Sequence, residues 1–191
     1  MAPRAGPRAP LSRLYTCCFE GPHDDLACLL LDPRQMLGPL EAFGIDFVDI
    51  LGRRNHSIRV LTSDTRYLGK PAQKEPHIRR DLRLCGTYGE NGQEIFDRDT
   101  INQFIKENQT IIQQHIDEFN PDICLTGNID LLGIPIFDSL FDQGIHVLHY
   151  LGNPFPGYEP QNCPNVPQYH VATASHWLKQ DAIRQGYPFQ D

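Results

Sequence analysis

Small and polar residues recur directly after the apolar runs of this sequence, and these positions hold its usable chemistry. Thr62-Ser63-Asp64 follows one run, and Gly127-Asn128, with Asp130 close behind, follows a second. His149, Gly152 and Asn153 close a third run, and Ser175-His176 follow a fourth. Glycine lets a ligand approach the backbone, while hydroxyl, amide and carboxylate groups supply the donors and acceptors that a polar ligand such as a sugar needs. Singly, each is also what any loop after a strand contains. Together they describe the rim of a cleft, with Ser63, Asp64, Gly127, Asn128, Asn153 and Ser175 as candidate binding residues.

His149 stands between Leu148 and Tyr150 near the end of an apolar run. An imidazole there can bond a hydroxyl or carbonyl, or shuttle a proton. A histidine bonded to backbone for structural reasons is the commoner outcome. His146, His149, Cys163 and His170 are close enough in sequence to suggest a metal site. Residues three apart on a strand point to opposite faces, however, so His146 and His149 do not readily chelate one ion, and no metal ligands are assigned. G-x-G-x-x-G after a strand, G-x-x-x-x-G-K-[ST] and G-x-S-x-G are all missing, so dinucleotide, P-loop and hydrolase-elbow readings have no support.

These residues need a framework, and the patterning supplies one. Leu40, Phe43, Phe47, Val48, Ile50 and Leu51 recur at helical spacing. Residues 57–62 alternate and are rich in branched side chains, as a strand requires. The stretch 63–96 is polar, with a short candidate strand at Asp81–Leu84, and its length suggests a functional excursion. Asp97–Phe119 has the clearest amphipathic pattern, with Asp99 or Thr100 as N-cap candidates and Asn120-Pro121 as its stop. Strands follow at 123–126, 146–151 and 169–174, a second helix over about 131–142 with Gly144 as its stop, and a last helix from Ser175 through Arg184. Strands alternating with helices predict a Rossmann-like α/β fold, a parallel sheet with helices on both faces. Residues 1–37 read as a Pro- and Arg-rich leader with candidate first strands in 14–19 and 26–31, and residues 38–191 as the domain.

Composition limits the partners. The chain has 191 residues, enough for one well-buried domain, and a formal charge of −7. Residues 1–13 hold three arginines and no acid, so the remaining 14 basic residues face all 24 acids, a net of −10. A body of that charge repels nucleic acid. No apolar run approaches the roughly 20 residues of a transmembrane helix. Six scattered cysteines without C-x-x-C spacing fit free thiols in a reducing cytoplasm.

The segment 40–63, LEAFGIDFVDILGRRNHSIRVLTS, resembles the first helix and second strand of family-4-like retaining glycosyltransferases of the GT-B fold. FNPDICLTGN (119–128), GIHVLHYLGN (144–153) and VATASHWLKQDAIRQGYP (171–188) resemble the later strands of the same N-terminal domain, in the same order. The resemblance runs from Gly38 to Asp191. It implies one half of a GT-B architecture, with His149 at the mouth of the inter-domain cleft as the catalytic candidate. It further implies a nucleotide-sugar co-substrate, no bound cofactor and a sugar or glycolipid acceptor, with peripheral membrane association for the latter. The loop 63–96, with His77, Arg79, Arg80 and Arg83, is a candidate surface for an anionic or lipid-linked acceptor. The family's Gly-rich loop reads here Leu37-Gly38-Pro39-Leu40; Gly38 keeps a place among the candidate binding residues, while Pro39 removes an amide. The donor-binding half would lie beyond Asp191, so the chain alone is expected to be inactive. The rival from another class is a non-catalytic Rossmann-like module that binds a sugar or nucleotide.

Overall fold

A computed structural model describes residues 27–31, 51, 53, 56–63, 78–89, 92–127 and 129–189. Six strands form one sheet: β1 (Ala27–Leu31), β2 (Ser57–Ser63), β3 (Ile78–Leu82), β6 (Ile123–Thr126), β7 (His146–Leu151) and β8 (Tyr169–Thr173). Their spatial order is β3-β2-β1-β6-β7-β8, and every pairing is parallel. Two further strands, β4 (Gly86–Gly89) and β5 (Gly92–Ile95), make a separate antiparallel hairpin. With that hairpin set aside, the sheet has the doubly wound order 3-2-1-4-5-6, which reverses direction between β1 and β6.

Of the two candidate first strands, the one within 26–31 forms β1, and it lies inside the sheet rather than at its edge. The folded unit therefore takes in residues before Gly38. The earlier candidate, 14–19, and most of the helix predicted from Leu40 lie outside the described residues.

Alternation of side chains sorts the strands onto two faces. On one face Leu61, Cys124 and Val147 join a core with Ile112, Ile116, Ile136, Phe137, Leu140 and Ala182. These last residues belong to the helices α1 (Arg98–Phe119), α2 (Asp138–Asp142) and α3 (His176–Arg184) and to a 3-10 turn, Ile134–Phe137. On the other face Val60 and Leu125 pack with the helical residue Leu51. Each fully buried Leu, Ile or Phe contributes roughly 1.5–3 kcal/mol, so both layers are needed to hold the sheet.

Local chemistry explains the boundaries. Asp97, not Asp99 or Thr100, caps α1: its carboxylate accepts from the backbone N–H of Asp99 and Thr100, each at 3.1 Å. Asn120 ends the helix in the left-handed region at φ 48°, a conformation that Asn tolerates, and its N–H donates to the Ile116 carbonyl. The helix predicted over 131–142 is shorter than its apolar pattern, because Gly133 and Pro135 start a 3-10 turn that becomes α2 only at Asp138. Gly144, at φ 70°, closes it. Within the excursion 63–96 the described residues carry β3 and the hairpin. Its candidate strand at 81–84 is displaced to Ile78–Leu82. Asn108 of α1 ties down the strand exit, accepting from the Arg83 N–H at 2.8 Å and donating to the Arg83 carbonyl at 2.7 Å.

Candidate functional site

In an open parallel sheet the ligand crevice lies beyond the carboxyl ends of the strands, where the strand order reverses. Here that point lies between β1, ending at Leu31, and β6, ending at Thr126. Leu31 is in register with Thr126, and Thr126 with His149 on β7. Ser63 ends β2, Gly127 follows β6, Asn153 follows β7 and Ser175 follows β8. The sheet thus sets these candidates in a row along one edge. At about 4.8 Å per strand, Ser63 and Ser175 stand roughly 19 Å apart. Gly127, just after β6, borders the reversal; His149 on β7 and Ser63 on β2 each stand one strand from it on opposite sides, and Ser175 stands farther out. Gly38, Asp64, Asn128 and His77 lie outside the described residues.

Each described candidate has a distinct environment. Ser63 is buried and its hydroxyl reaches no hydrogen-bond partner among the described residues, while its carbonyl accepts from Arg80 at 3.4 Å. Asn153 is half-buried and its side-chain oxygen accepts from the Phe155 N–H at 3.0 Å, an Asx turn that shapes the loop after β7. Ser175 is exposed and caps α3, accepting from the Leu178 N–H at 3.2 Å. Its hydroxyl is thereby committed to the helix. Of the basic residues in the excursion, Arg79 and Arg83 are exposed and Arg80 is half-buried; Arg83 lies 3.9 Å from Glu107.

His149 is fully buried and belongs to the face that α1 and α2 cover. The rings of Phe137, Tyr158 and Tyr169 surround it at centroid distances of 6.0–6.2 Å. Its Nδ1 shares a hydrogen bond of 2.8 Å with the Tyr169 hydroxyl. Its Nε2 is buried and closes no hydrogen bond of good geometry among the described residues, although the Gly127 backbone carbonyl lies near enough to the ring to favour its N–H and raise its pKa. Burial lowers its pKa to about 3, with Gly127 opposing weakly, so the imidazole is neutral at physiological pH. A buried nitrogen without a partner costs about 1–3 kcal/mol, a cost that a ligand hydroxyl would remove.

Behind Tyr169 the polar contacts continue. Its hydroxyl lies 2.5 Å from the Tyr158 hydroxyl, which lies 3.9 Å from Cys163 Sγ. The Tyr187 hydroxyl donates to the Tyr158 carbonyl. Burial raises the pKa of both Tyr158 and Tyr169, so both keep their protons. The loop bearing Tyr158 crosses closely over residues 129–130. At Gly157, at φ 91°, an added Cβ would come within 2.9 Å of Ile129 and 3.0 Å of the Asp130 nitrogen. Sequence reasoning missed both tyrosines, because nothing in the spacing of 149, 158 and 169 signals a meeting. Cys163, Tyr169, His170, Lys179 and Phe189 help line a separate cleft of about 580 Å³ along the sheet-edge strand β8.

His146 turns away from His149 and stacks instead on His170, with 3.1 Å between Nδ1 and Nε2. Among the described residues no group of three or more His, Cys, Asp or Glu side chains converges as a metal site. Among the same residues no helix is long and apolar enough to cross a membrane.

No protein-family model matches the sequence, and a search of curated proteins also finds no match. Solved structures do resemble the fold. A UDP-N-acetylglucosamine 2-epimerase aligns with a TM-score of 0.51 and 11% identity, over 85% of this chain and 45% of that one. A putative UDP-N-acetylglucosamine 2-epimerase from Listeria monocytogenes aligns at 0.49 and 12%, over 88% and 43%. Acinetobacter baumannii MurG aligns at 0.44 and 10%, over 78% and 46%. The chain spans less than half the length of each. Taken with the strand order, the first of these likenesses identifies the fold as Rossmann-like α/β, one half of a GT-B architecture.

Proposed function

We propose that this chain is the N-terminal, acceptor-side half of a GT-B enzyme that transfers a sugar from a nucleotide-sugar co-substrate to a sugar or glycolipid acceptor with retention. The observation that carries the reading is His149 Nε2, buried and without a well-formed hydrogen bond among the described residues, one strand from the reversal of strand order. That is where this class of sheet takes its ligand. A neutral imidazole there can bond a sugar hydroxyl without adding charge. Ser63 belongs to the rim, Gly38, Asp64 and Asn128 are further candidate binding residues, and the exposed Arg79 and Arg83 are available to an anionic acceptor. The transfer itself depends on stabilising the departing diphosphate and on closing two halves around the substrates, with no bound metal required. On this reading the 191-residue chain binds ligand in a reducing, cytoplasmic setting and needs a second α/β half for turnover.

The test is titration calorimetry, with UDP-N-acetylglucosamine, of the completed protein in which this half is joined to its donor-binding half. His149→Ala is expected to weaken binding at least tenfold, about 1.4 kcal/mol, while the fold is retained. Equal affinity in the two proteins would return His149 to a structural role. Turnover by the chain alone would remove the need for a second half. The 2-epimerase likeness favours a second chemistry on the same site. Product analysis with the completed protein separates them: an epimerised nucleotide-sugar without acceptor argues against transfer.

A further inference from the structure

Among the described residues β8 is the outer strand of the sheet, and its free edge is open to pairing. In a parallel ladder, alternate residues turn both backbone groups to the same neighbour. The Gln168 carbonyl accepts from the Val147 N–H at 2.8 Å and the Ala174 N–H donates to the Leu151 carbonyl at 2.9 Å, so His170 and Ala172 between them also bond β7. The backbone groups of Tyr169, Val171 and Thr173 face the other way. The Tyr169 N–H donates to the Val166 carbonyl at 3.1 Å; among the described residues those of Val171 and Thr173 have no backbone partner. Natural edges are blunted by lysine, proline or a bulge. Tyr-His-Val-Ala-Thr has none of these, and it pairs with β7 without a register shift. The cleft of about 580 Å³ runs along this edge, with Val171, Thr173, Lys179 and Phe189 in its lining.

The chain itself leads into that cleft. The turn and helix that join β6 to β7 lie on the face that holds Phe137 and Leu140, and α3 lies on the same face through Ala182. A right-handed crossover of the same sense sets the strand after α3 parallel to β8, on its outer side. Phe189 already lies in the cleft, stacked on Tyr187 at 5.3 Å. The lining includes Lys179 and no carboxylate, so a second copy of the same edge brings no complementary charge.

We infer that the outer edge of β8 is the seam to the donor-binding half: the polypeptide joining the two halves adds a further parallel strand there, bonded to Val171 and Thr173. This rests on the reading of the chain as one half of a two-part enzyme and deepens it by naming where the second half attaches. An added strand satisfies the outward backbone groups and covers the Phe189 ring. It also ties the second half to the sheet whose strand ends carry the candidate site, through backbone bonds rather than a loose tether.

Amide hydrogen exchange of the completed protein, read residue by residue by nitrogen-15 NMR, is the test. The His170 and Ala172 amides bond β7 in any case and serve as the internal standard. The Val171 and Thr173 amides should exchange within about tenfold of that standard in the completed protein, and at least about a hundredfold faster than it in the 191-residue chain. Val171→Pro removes one outward N–H and leaves the β7 bonds in place. In the completed protein it should speed exchange at Thr173 at least about tenfold, while His170 and Ala172 keep their protection. Should that variant fail to fold, the native exchange pattern decides by itself. Unprotected Val171 and Thr173 amides in the completed protein would overturn the inference. So would protection in the 191-residue chain that rises with its concentration, which marks pairing with a second copy. Exchange is read without ligand, so failure to bind UDP-N-acetylglucosamine counts only against the proposed function.

Discussion

Two buried histidines on the same side of the sheet have opposite hydrogen-bond accounts. His115, on α1, is satisfied at both ring nitrogens: Nδ1 accepts from Arg59 at 3.1 Å, and Nε2 donates to Asp81 at 2.9 Å. Arg59 also bonds Glu118 at 3.1 Å and lies 4.9 Å above the Phe119 ring, so β2, β3 and α1 are fastened together around His115. His149 is fully satisfied at one nitrogen only; among the described residues the other closes no hydrogen bond of good geometry, the Gly127 backbone being its nearest polar neighbour. Burial alone does not separate a structural histidine from a functional one. The completeness of its hydrogen bonding does, because an unmet buried atom persists only where something else rewards it.

That contrast can be broken most forcefully at Phe137, which packs against His149 and Tyr169 and has no ring contact with His115. Phe137→Ala should cost about 3–5 kcal/mol in urea unfolding. It should also shift the nitrogen-15 signals of His149 while leaving those of His115 in place. Movement of both would mean that the two histidines share one packing unit.

Removing His115 tests the other side. His115→Ala leaves Arg59 and Asp81 without their partner and is expected to destabilise by about 1–3 kcal/mol. UDP-N-acetylglucosamine affinity should not change. A loss of affinity comparable with that of His149→Ala would give His115 a part in the site and undo the distinction.

Acid separates them further. The folded pKa of His149 is depressed to about 3, well below the ordinary histidine value of roughly 6.5. Its contribution is therefore intact above pH 6.5, where both states are neutral. It is lost as pH falls toward 3, because only the unfolded chain takes up the proton. The slope approaches 1.36 kcal/mol per pH unit in that window. His170, lowered by burial and by His146, adds loss of the same sign. The measurement is thus the difference between the native chain and His149→Leu, whose profile should be flatter from pH 6.5 down to where unfolding becomes complete. Parallel profiles would mean that His149 titrates as it does when exposed.

The smallest effect belongs to Ser175. Ser175→Ala should cost about 1 kcal/mol through loss of the cap on α3, and Ser175→Asp should recover it. If Ser175→Asp restores stability and leaves ligand affinity unchanged, the hydroxyl serves the helix alone. A drop in affinity in that stable variant would add Ser175 to the site.

Much of the fold was legible before any coordinates. The strands at 123–126 and 146–151 and the helix from Ser175 through Arg184 stand where the apolar pattern predicts them, because regular periodicity is a local property. The second helix was overextended for a nearby reason: Gly133 and Pro135 dictate a 3-10 turn that an apolar count does not register. The hairpin β4–β5 escaped because its short strands, 86–89 and 92–95, carry no alternating apolar pattern in sequence.

The sequence by itself determined that strands and helices alternate, that polar residues follow the strands, and that His149 stands near the end of an apolar run. These follow from local propensity and spacing. Only the tertiary structure decided that β1 and β6 are neighbours across a reversal of order, and that Tyr158 and Tyr169 meet at His149. It likewise decided that one His149 nitrogen closes no well-formed hydrogen bond among the described residues, whereas both of His115 do. Hydrogen-bond completeness is a property of the surroundings. Residues 20 to 56 positions apart settle it, and no local pattern in the chain encodes where they come together.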